Sequence, residues 1–174
     1  YSVRGAKSGL RTLAYFDRQL IEYVSHLVTS EISDDEPYAI VTPLNYAAYK
    51  SPNLSPFYNA CLGQIPDAVR KRMLIEVVGA DQMNLKQTIR WNLDYIAQRC
   101  RGVILHVRFD ARHVFRMKGL NILAIGTSAF NAAPRDEGVR RKLQGFIQET
   151  ETLSLPRFLT GVQSSELAGK AADI

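Results

Sequence analysis

The apolar residues of the chain follow two alternating periodicities. Spacings of three and four residues are typical of amphipathic helices. They predict helices at residues 10–28, 55–64, 84–97, 113–117 and 136–152, with the start of a last helix after residue 162. Residues 1–9 are small and polar, so we expect a loosely ordered start before a single domain at residues 10–174.

Short apolar runs rich in β-branched residues separate these helices, and this pattern is typical of buried strands. They predict five strands, at residues 38–44, 72–79, 103–109, 121–126 and 157–162. Strands that alternate with helices indicate a parallel α/β sheet. Two architectures fit: an incomplete TIM-like (β/α) barrel, since a complete one has eight strands, and an open five-stranded flavodoxin-like sheet.

Composition narrows the class of protein. The chain has 174 residues, of which 46% are hydrophobic and 22% charged, as expected for one globular domain. Its net charge is +5, but the basic residues are scattered with few aromatic residues among them, so we predict no nucleic-acid binding. No apolar run is long enough to span a membrane. The two cysteines have neither disulfide-framework nor zinc spacing, which fits a reducing compartment, and we predict a cytoplasmic location.

The common catalytic motifs are missing from the sequence. Neither nucleotide cradle, G-x-G-x-x-G or G-x-x-x-x-G-K-[ST], occurs, and neither do G-x-S-x-G and H-E-x-x-H. His106 lies in a predicted strand, where we expect a hydrogen-bonded core histidine or a half-exposed one rather than a metal ligand or a base.

Candidate site residues are therefore sought at the carboxyl ends of the strands, where α/β proteins bind their ligands. Glu76 draws attention because it lies within an apolar run, and a buried carboxylate requires a partner. Arg108 is a candidate partner for it. This set has too few oxygen ligands for a metal, and we predict no cofactor. The polar or small residues at the predicted strand ends are Thr42, Glu76, Arg108, Asp110, Gly126, Thr127, Thr160 and Gln163.

Six segments resemble, in order, segments of the EAL family, the bacterial cyclic di-GMP phosphodiesterase barrels. LAYFDRQLIEYV resembles the helix before the third strand of that fold, VTPLNYAAYKSPNL its VNLSxxQFxxPxL segment, and RMLIEVVG its LxxEITE strand. RGVILHVRFDA resembles GVxLALDDFG, LNILAIGTSAF resembles LKIDxSFV, and FLTGVQSSELAGKAADI resembles the run that begins AEGVE. The resemblance covers the third to seventh strands, so these strands could not close the barrel by themselves, and we expect the domain to be a segment of a longer protein.

The resemblance also implies where the site residues of the family fall. The metal-binding asparagine falls on Thr42, and the first glutamate of the EITE strand falls on Glu76. The two adjacent aspartates fall on Arg108 and Phe109, the catalytic lysine on Ala124, and the glutamate of AEGVE on Thr160. Only Glu76 keeps the expected residue type, whereas two-metal hydrolysis needs several anionic oxygens.

The resemblance therefore implies the fold without the activity, and we do not expect an enzyme. The expected function is a non-catalytic EAL-like regulatory or protein-interaction domain in bacterial signalling, with a protein partner or self-association. One alternative is a receptor that binds cyclic di-GMP without hydrolysing it, with Arg108 contacting a phosphate. The remaining alternative is an active phosphodiesterase with rearranged ligands.

Overall fold

The computed structural model of the protein describes residues 3–30, 38–80, 87–108, 118–128 and 137–162, and residue 169. Helices and strands alternate along this part of the chain, as the periodicities predict. The elements are α1 (Val3–Ser30), β1 (Ile40–Asn45), α2 (Tyr46–Tyr49), α3 (Ser55–Gly63), α4 (Asp67–Arg70), β2 (Met73–Val78), α5 (Gln87–Ala97), β3 (Gly102–His106), β4 (Ala124–Ser128), α6 (Glu137–Glu151) and β5 (Arg157–Thr160).

The five described strands form one parallel sheet in the order β1-β2-β3-β4-β5. Each strand lies beside its neighbour in sequence, which is the winding of a (β/α) barrel. A flavodoxin-like sheet would instead place its first strand inside the sheet. The open flavodoxin-like alternative is therefore wrong. Within the described strands the sheet does not close, because β1 and β5 each pair with one neighbour.

The two faces of the sheet differ in burial. On β2, Met73, Ile75 and Val77 are buried, whereas Leu74, Glu76 and Val78 are only half-buried. Successive side chains of a strand point to opposite faces. The first set belongs to the core between the sheet and the helices, and we call this side the helix-covered face. The opposite side is called the Glu76 face.

The first helix starts earlier than the sequence predicts. α1 begins at Val3 rather than at Leu10, so residues 3–9 are helical. Extending an existing helix adds one hydrogen bond for each residue that it fixes and needs no new nucleus. The small residues therefore continue the helix that the apolar positions further along stabilise.

Strand boundaries differ from the predictions by a few residues. β4 was predicted at residues 121–126 but covers Ala124–Ser128, and β3 ends at His106 rather than at residue 109. Ile122 explains the first shift: it is buried but lies before the paired part of the strand. Apolarity indicates burial, and burial extends beyond the hydrogen-bonded ladder.

Some predictions concern residues outside the described ranges, namely the short helix at residues 113–117 and most of the last helix. Among the helices that the structure does describe, none combines the length and the apolarity needed to cross a bilayer.

Candidate functional site at the carboxyl ends of the strands

Glu76 lies on β2 and is held by a histidine of the next strand. Its Oε1 is 2.7 Å from Nδ1 of His106, the last residue of β3. Both side chains are largely shielded, with 17% of Glu76 and 19% of His106 exposed. A carboxylate can only accept a hydrogen bond, so Nδ1 of the imidazole carries the proton and donates it. The expected hydrogen bond of His106 is confirmed, and the side chain is mostly buried.

The sheet register explains why these two side chains meet. His106 is in register with Val78, two residues beyond Glu76 on the same face of β2. A glutamate side chain spans this diagonal and reaches the imidazole. The sequence interpretation offered Arg108 as a candidate partner of Glu76. Arg108 lies just past the end of β3 and is exposed.

Phe158 contacts the other side of His106. His106, Gly126 and Phe158 lie in register across β3, β4 and β5. The Phe158 ring is edge-on to the imidazole, with ring centroids 6.2 Å apart. It lies over Gly126 so closely that a Cβ there would be 2.3 Å from the ring. The glycine therefore allows Phe158 to lie flat over β4 and reach the histidine.

Thr42 does not belong to this site. It pairs with Ile75, is 1% exposed and lies on the helix-covered face. Its neighbour Pro43 is the residue opposite Glu76. Because side chains alternate, a shift of one residue along a strand changes the face. The resemblance places the family's metal-binding asparagine on Thr42. In the structure, the β1 residue that faces the same side as Glu76 is the next one, Pro43.

The remaining predicted residues are only partly brought together. Thr160 ends β5, is half-buried, and its hydroxyl donates a long hydrogen bond of 3.4 Å to the carbonyl of Thr127. Ala124, in register with Ile104, lies on the Glu76 face at the start of β4. Asp110, Gln163 and Phe109 lie outside the described residues.

The described side chains on the Glu76 face do not fit a two-metal centre. Of the described positions near Glu76 that the resemblance implicates, Ala124 has no side-chain donor atom, Thr160 has one neutral hydroxyl and Arg108 is a cation. Pro43, which lies opposite Glu76 on β1, has no side-chain donor atom either. In the described ranges, no three His, Cys, Asp or Glu side chains are grouped so that they could hold a metal ion. Divalent cations in hydrolytic sites require several converging carboxylate oxygens.

A buried carboxylate on α1 positions the end of β1 beside this site. Oδ2 of Asp17 accepts hydrogen bonds from the backbone N–H of Asn45, at 2.9 Å, and from the Tyr58 hydroxyl. The Asn45 side chain in turn accepts from the N–H of Ala48 and caps α2. Burial raises the pKa of Asp17, and the two hydrogen bonds oppose this rise.

Sequence reasoning missed three residues of this region. Pro43 and Phe158 have no polar atoms that would mark them as site residues. Asp17 was detectable, because it is a charged residue at a core position of an amphipathic helix. Gly126 gave an indirect signal for Phe158, because a glycine within a strand often marks a place where another group packs closely against the backbone.

Comparison with known proteins supports the same architecture. No family model and no curated protein sequence matches the chain. The chain is similar to the solved FimX EAL domain of Xanthomonas citri in complex with c-diGMP, with a TM-score of 0.63 and 7% identity over 91% of this chain. It is also similar to the PaMucR phosphodiesterase in a c-di-GMP complex, with a TM-score of 0.66 and 10% identity over 98% of this chain.

The likeness shows the fold alone at these identities. The predicted EAL-like α/β fold is confirmed, with five parallel strands of a TIM-barrel-like sheet that does not close within the described residues. The chain matches 63% of the FimX EAL domain chain and 73% of the PaMucR chain.

Proposed function

We propose that the chain is a non-catalytic EAL-like domain that acts in cyclic di-GMP signalling through regulation or protein interaction. Its fold resembles two EAL structures that were solved with this nucleotide. One observation carries the non-catalytic part: the hydrogen bond between Glu76 and His106. The one retained carboxylate has an imidazole as its partner.

The surroundings of Glu76 support this assignment. Pro43 lies opposite Glu76 on β1, and Ala124 occupies the position at which the resemblance expects a lysine. A phosphodiesterase centre needs anionic oxygens that hold its metal cations, and these cations activate a bound water molecule. Among the described residues of the Glu76 face, the one carboxylate is already bonded to His106, and it supplies less negative charge than such a centre requires.

A turnover assay tests this proposal. The protein is incubated with cyclic di-GMP and Mg²⁺ or Mn²⁺, and the linear dinucleotide product is separated by chromatography. We expect no product above the protein-free blank, and the same result for Glu76→Gln. Metal-dependent turnover that Glu76→Gln abolishes would show that the domain is an active phosphodiesterase.

A second candidate function, binding of cyclic di-GMP without hydrolysis, is favoured by the position of Arg108. This exposed cation follows β3 at the carboxyl edge of the sheet, one residue beyond Val107 and two beyond His106. A guanidinium forms strong hydrogen bonds to phosphate oxygens.

Calorimetric titration with cyclic di-GMP, with and without Mg²⁺, separates the two functions. A receptor shows saturable binding that Arg108→Ala weakens. Arg101→Ala is the matched control, because Arg101 is also exposed but lies at the amino end of the same strand. If a folded sample shows no heat of binding, the receptor function is excluded and the protein-interaction function remains.

The bacterial and cytoplasmic setting is part of the proposal. Cys61 and Cys100 are both free thiols, which fits a reducing compartment.

A further inference from the structure

The Phe158 ring fills the middle of the Glu76 face. The side chains that β4 carries on this face are small, namely those of Ala124, Gly126 and Ser128. The ring lies on the backbone of the central one, because a Cβ added at Gly126 would collide with three ring carbon atoms. It therefore occupies the space above β4 that a bound group would otherwise enter.

This ring also lies just below the position from which Arg108 would bind a phosphate. β3 ends at His106, but the N–H of Val107 still bonds to the carbonyl of Gly126, at 2.9 Å. The alternation of side chains thus continues, and the Arg108 side chain starts on the Glu76 face, two residues beyond His106. Since His106 and Phe158 are in ring contact, the two rings form the layer beneath such a phosphate.

An apolar ring in this layer opposes the binding of an anion. A phosphate that approaches the ring loses hydration without gaining a hydrogen bond, and the face of an aromatic ring carries partial negative charge. The described polar groups beside the ring are already engaged. Nδ1 of His106 donates to Glu76, and the Thr160 hydroxyl donates to the carbonyl of Thr127.

We infer that Phe158 is an autoinhibitory plug: its ring occupies part of the ligand site on the Glu76 face, and cyclic di-GMP binds only when the ring moves off Gly126. This inference rests on the second candidate function, the binding of cyclic di-GMP without hydrolysis. Because Phe158 is half-buried, moving its ring costs about half of the transfer free energy of a fully buried phenylalanine. That cost corresponds to about a five- to tenfold loss of affinity.

Calorimetric titration of the folded variants with cyclic di-GMP tests the plug. Phe158→Ala should bind about five- to tenfold more tightly than the wild type. Phe158→Leu removes the ring but keeps apolar contact with β4, so it protects the test against a loss of folding and should show a smaller gain. Leu123→Ala is the matched control, because Leu123 covers a glycine of the same sheet, Gly102, at the amino end of β3. Its affinity should equal that of the wild type.

A double variant shows whether the gain arises at the proposed site. Adding Arg108→Ala to Phe158→Ala should weaken the gained binding, since both residues would then act on one bound phosphate. A gain that Arg108→Ala leaves unchanged would place the ligand elsewhere and overturn the inference.

The remaining outcomes separate the plug from the receptor function. If the wild type binds and Phe158→Ala binds equally or more weakly, the plug is refuted while the receptor function stands. If neither the wild type nor any variant binds, both fail together. An equal gain for Leu123→Ala would trace the effect to a general loosening of the sheet, which also overturns the inference. Binding by Phe158→Ala beside a wild type without detectable binding would support it in its extreme form, in which the ring excludes the ligand altogether. Circular dichroism of each sample confirms that the protein is folded.

Discussion

The contact between Phe158 and Gly126 makes a quantitative prediction about the site. Gly126→Ala should destabilise the protein, because the new methyl group would lie 2.3 Å from the Phe158 ring and the ring must move. Overpacking of this kind costs about 1–3 kcal/mol of unfolding free energy. The backbone of Gly126 is not in the left-handed region, so strain from the φ angle adds nothing.

A double-mutant cycle tests whether the Phe158 ring causes the loss of stability expected for Gly126→Ala. Phe158 is half-buried, so Phe158→Ala should cost about half of the roughly 3–5 kcal/mol measured for fully buried phenylalanines. In that background, Gly126→Ala should become neutral or gain about 0.5 kcal/mol, because alanine restricts the unfolded chain. The coupling energy between the two sites is then about 1–3 kcal/mol.

Urea unfolding followed by far-ultraviolet circular dichroism measures all four proteins of the cycle. The matched control is Gly145→Ala in α6, where a methyl group meets no atom within 4 Å and should stabilise the helix by about 0.5–1 kcal/mol. A neutral Gly126→Ala in the wild-type background would show that the ring does not cover β4. A cost that persists after Phe158→Ala would place its origin in the backbone instead.

Two further predictions concern buried polar groups. Because burial raises the pKa of Asp17 in the folded state, its contribution to stability is fully present below about pH 4 and is lost as pH rises through the folded pKa. The stability of Asp17→Asn relative to wild type should therefore improve from about pH 4 towards neutrality in urea titrations, and parallel pH profiles would contradict this cause. Thr42→Val removes a buried hydroxyl that has no hydrogen-bond partner in the structure, and it should raise the unfolding free energy by about 1 kcal/mol. A loss of stability for Thr42→Val would show that the hydroxyl is bonded after all.

Local periodicity was sufficient to predict the five strands and the longer helices of the described chain, but not the four-residue helices α2 and α4. The five strands and their parallel direction follow from short β-branched runs between amphipathic stretches, because each pattern reports which side of one segment is buried. The same logic found Glu76 as an unusual charge within a strand and His106 as a hydrogen-bonded residue. The ordered resemblance to the EAL family predicted the fold that the structural comparison confirms.

Which residues meet at the site depended on contacts between strands. The pattern of residues along the sequence does not contain this information. The register between β1 and β2 decided that Pro43, and not Thr42, faces Glu76. The register across β3, β4 and β5 placed Phe158 over Gly126 and against His106.

The sequence by itself determined where the five strands and the longer helices form, to within a few residues, because the periodicity of the apolar side chains is a property of each segment alone. Only the tertiary structure decided that His106 holds Glu76 and that Phe158 covers Gly126. Both outcomes depend on which segments become neighbours in space. A shift of one residue in strand register exchanges the two faces of a strand, and periodicity alone does not specify that register.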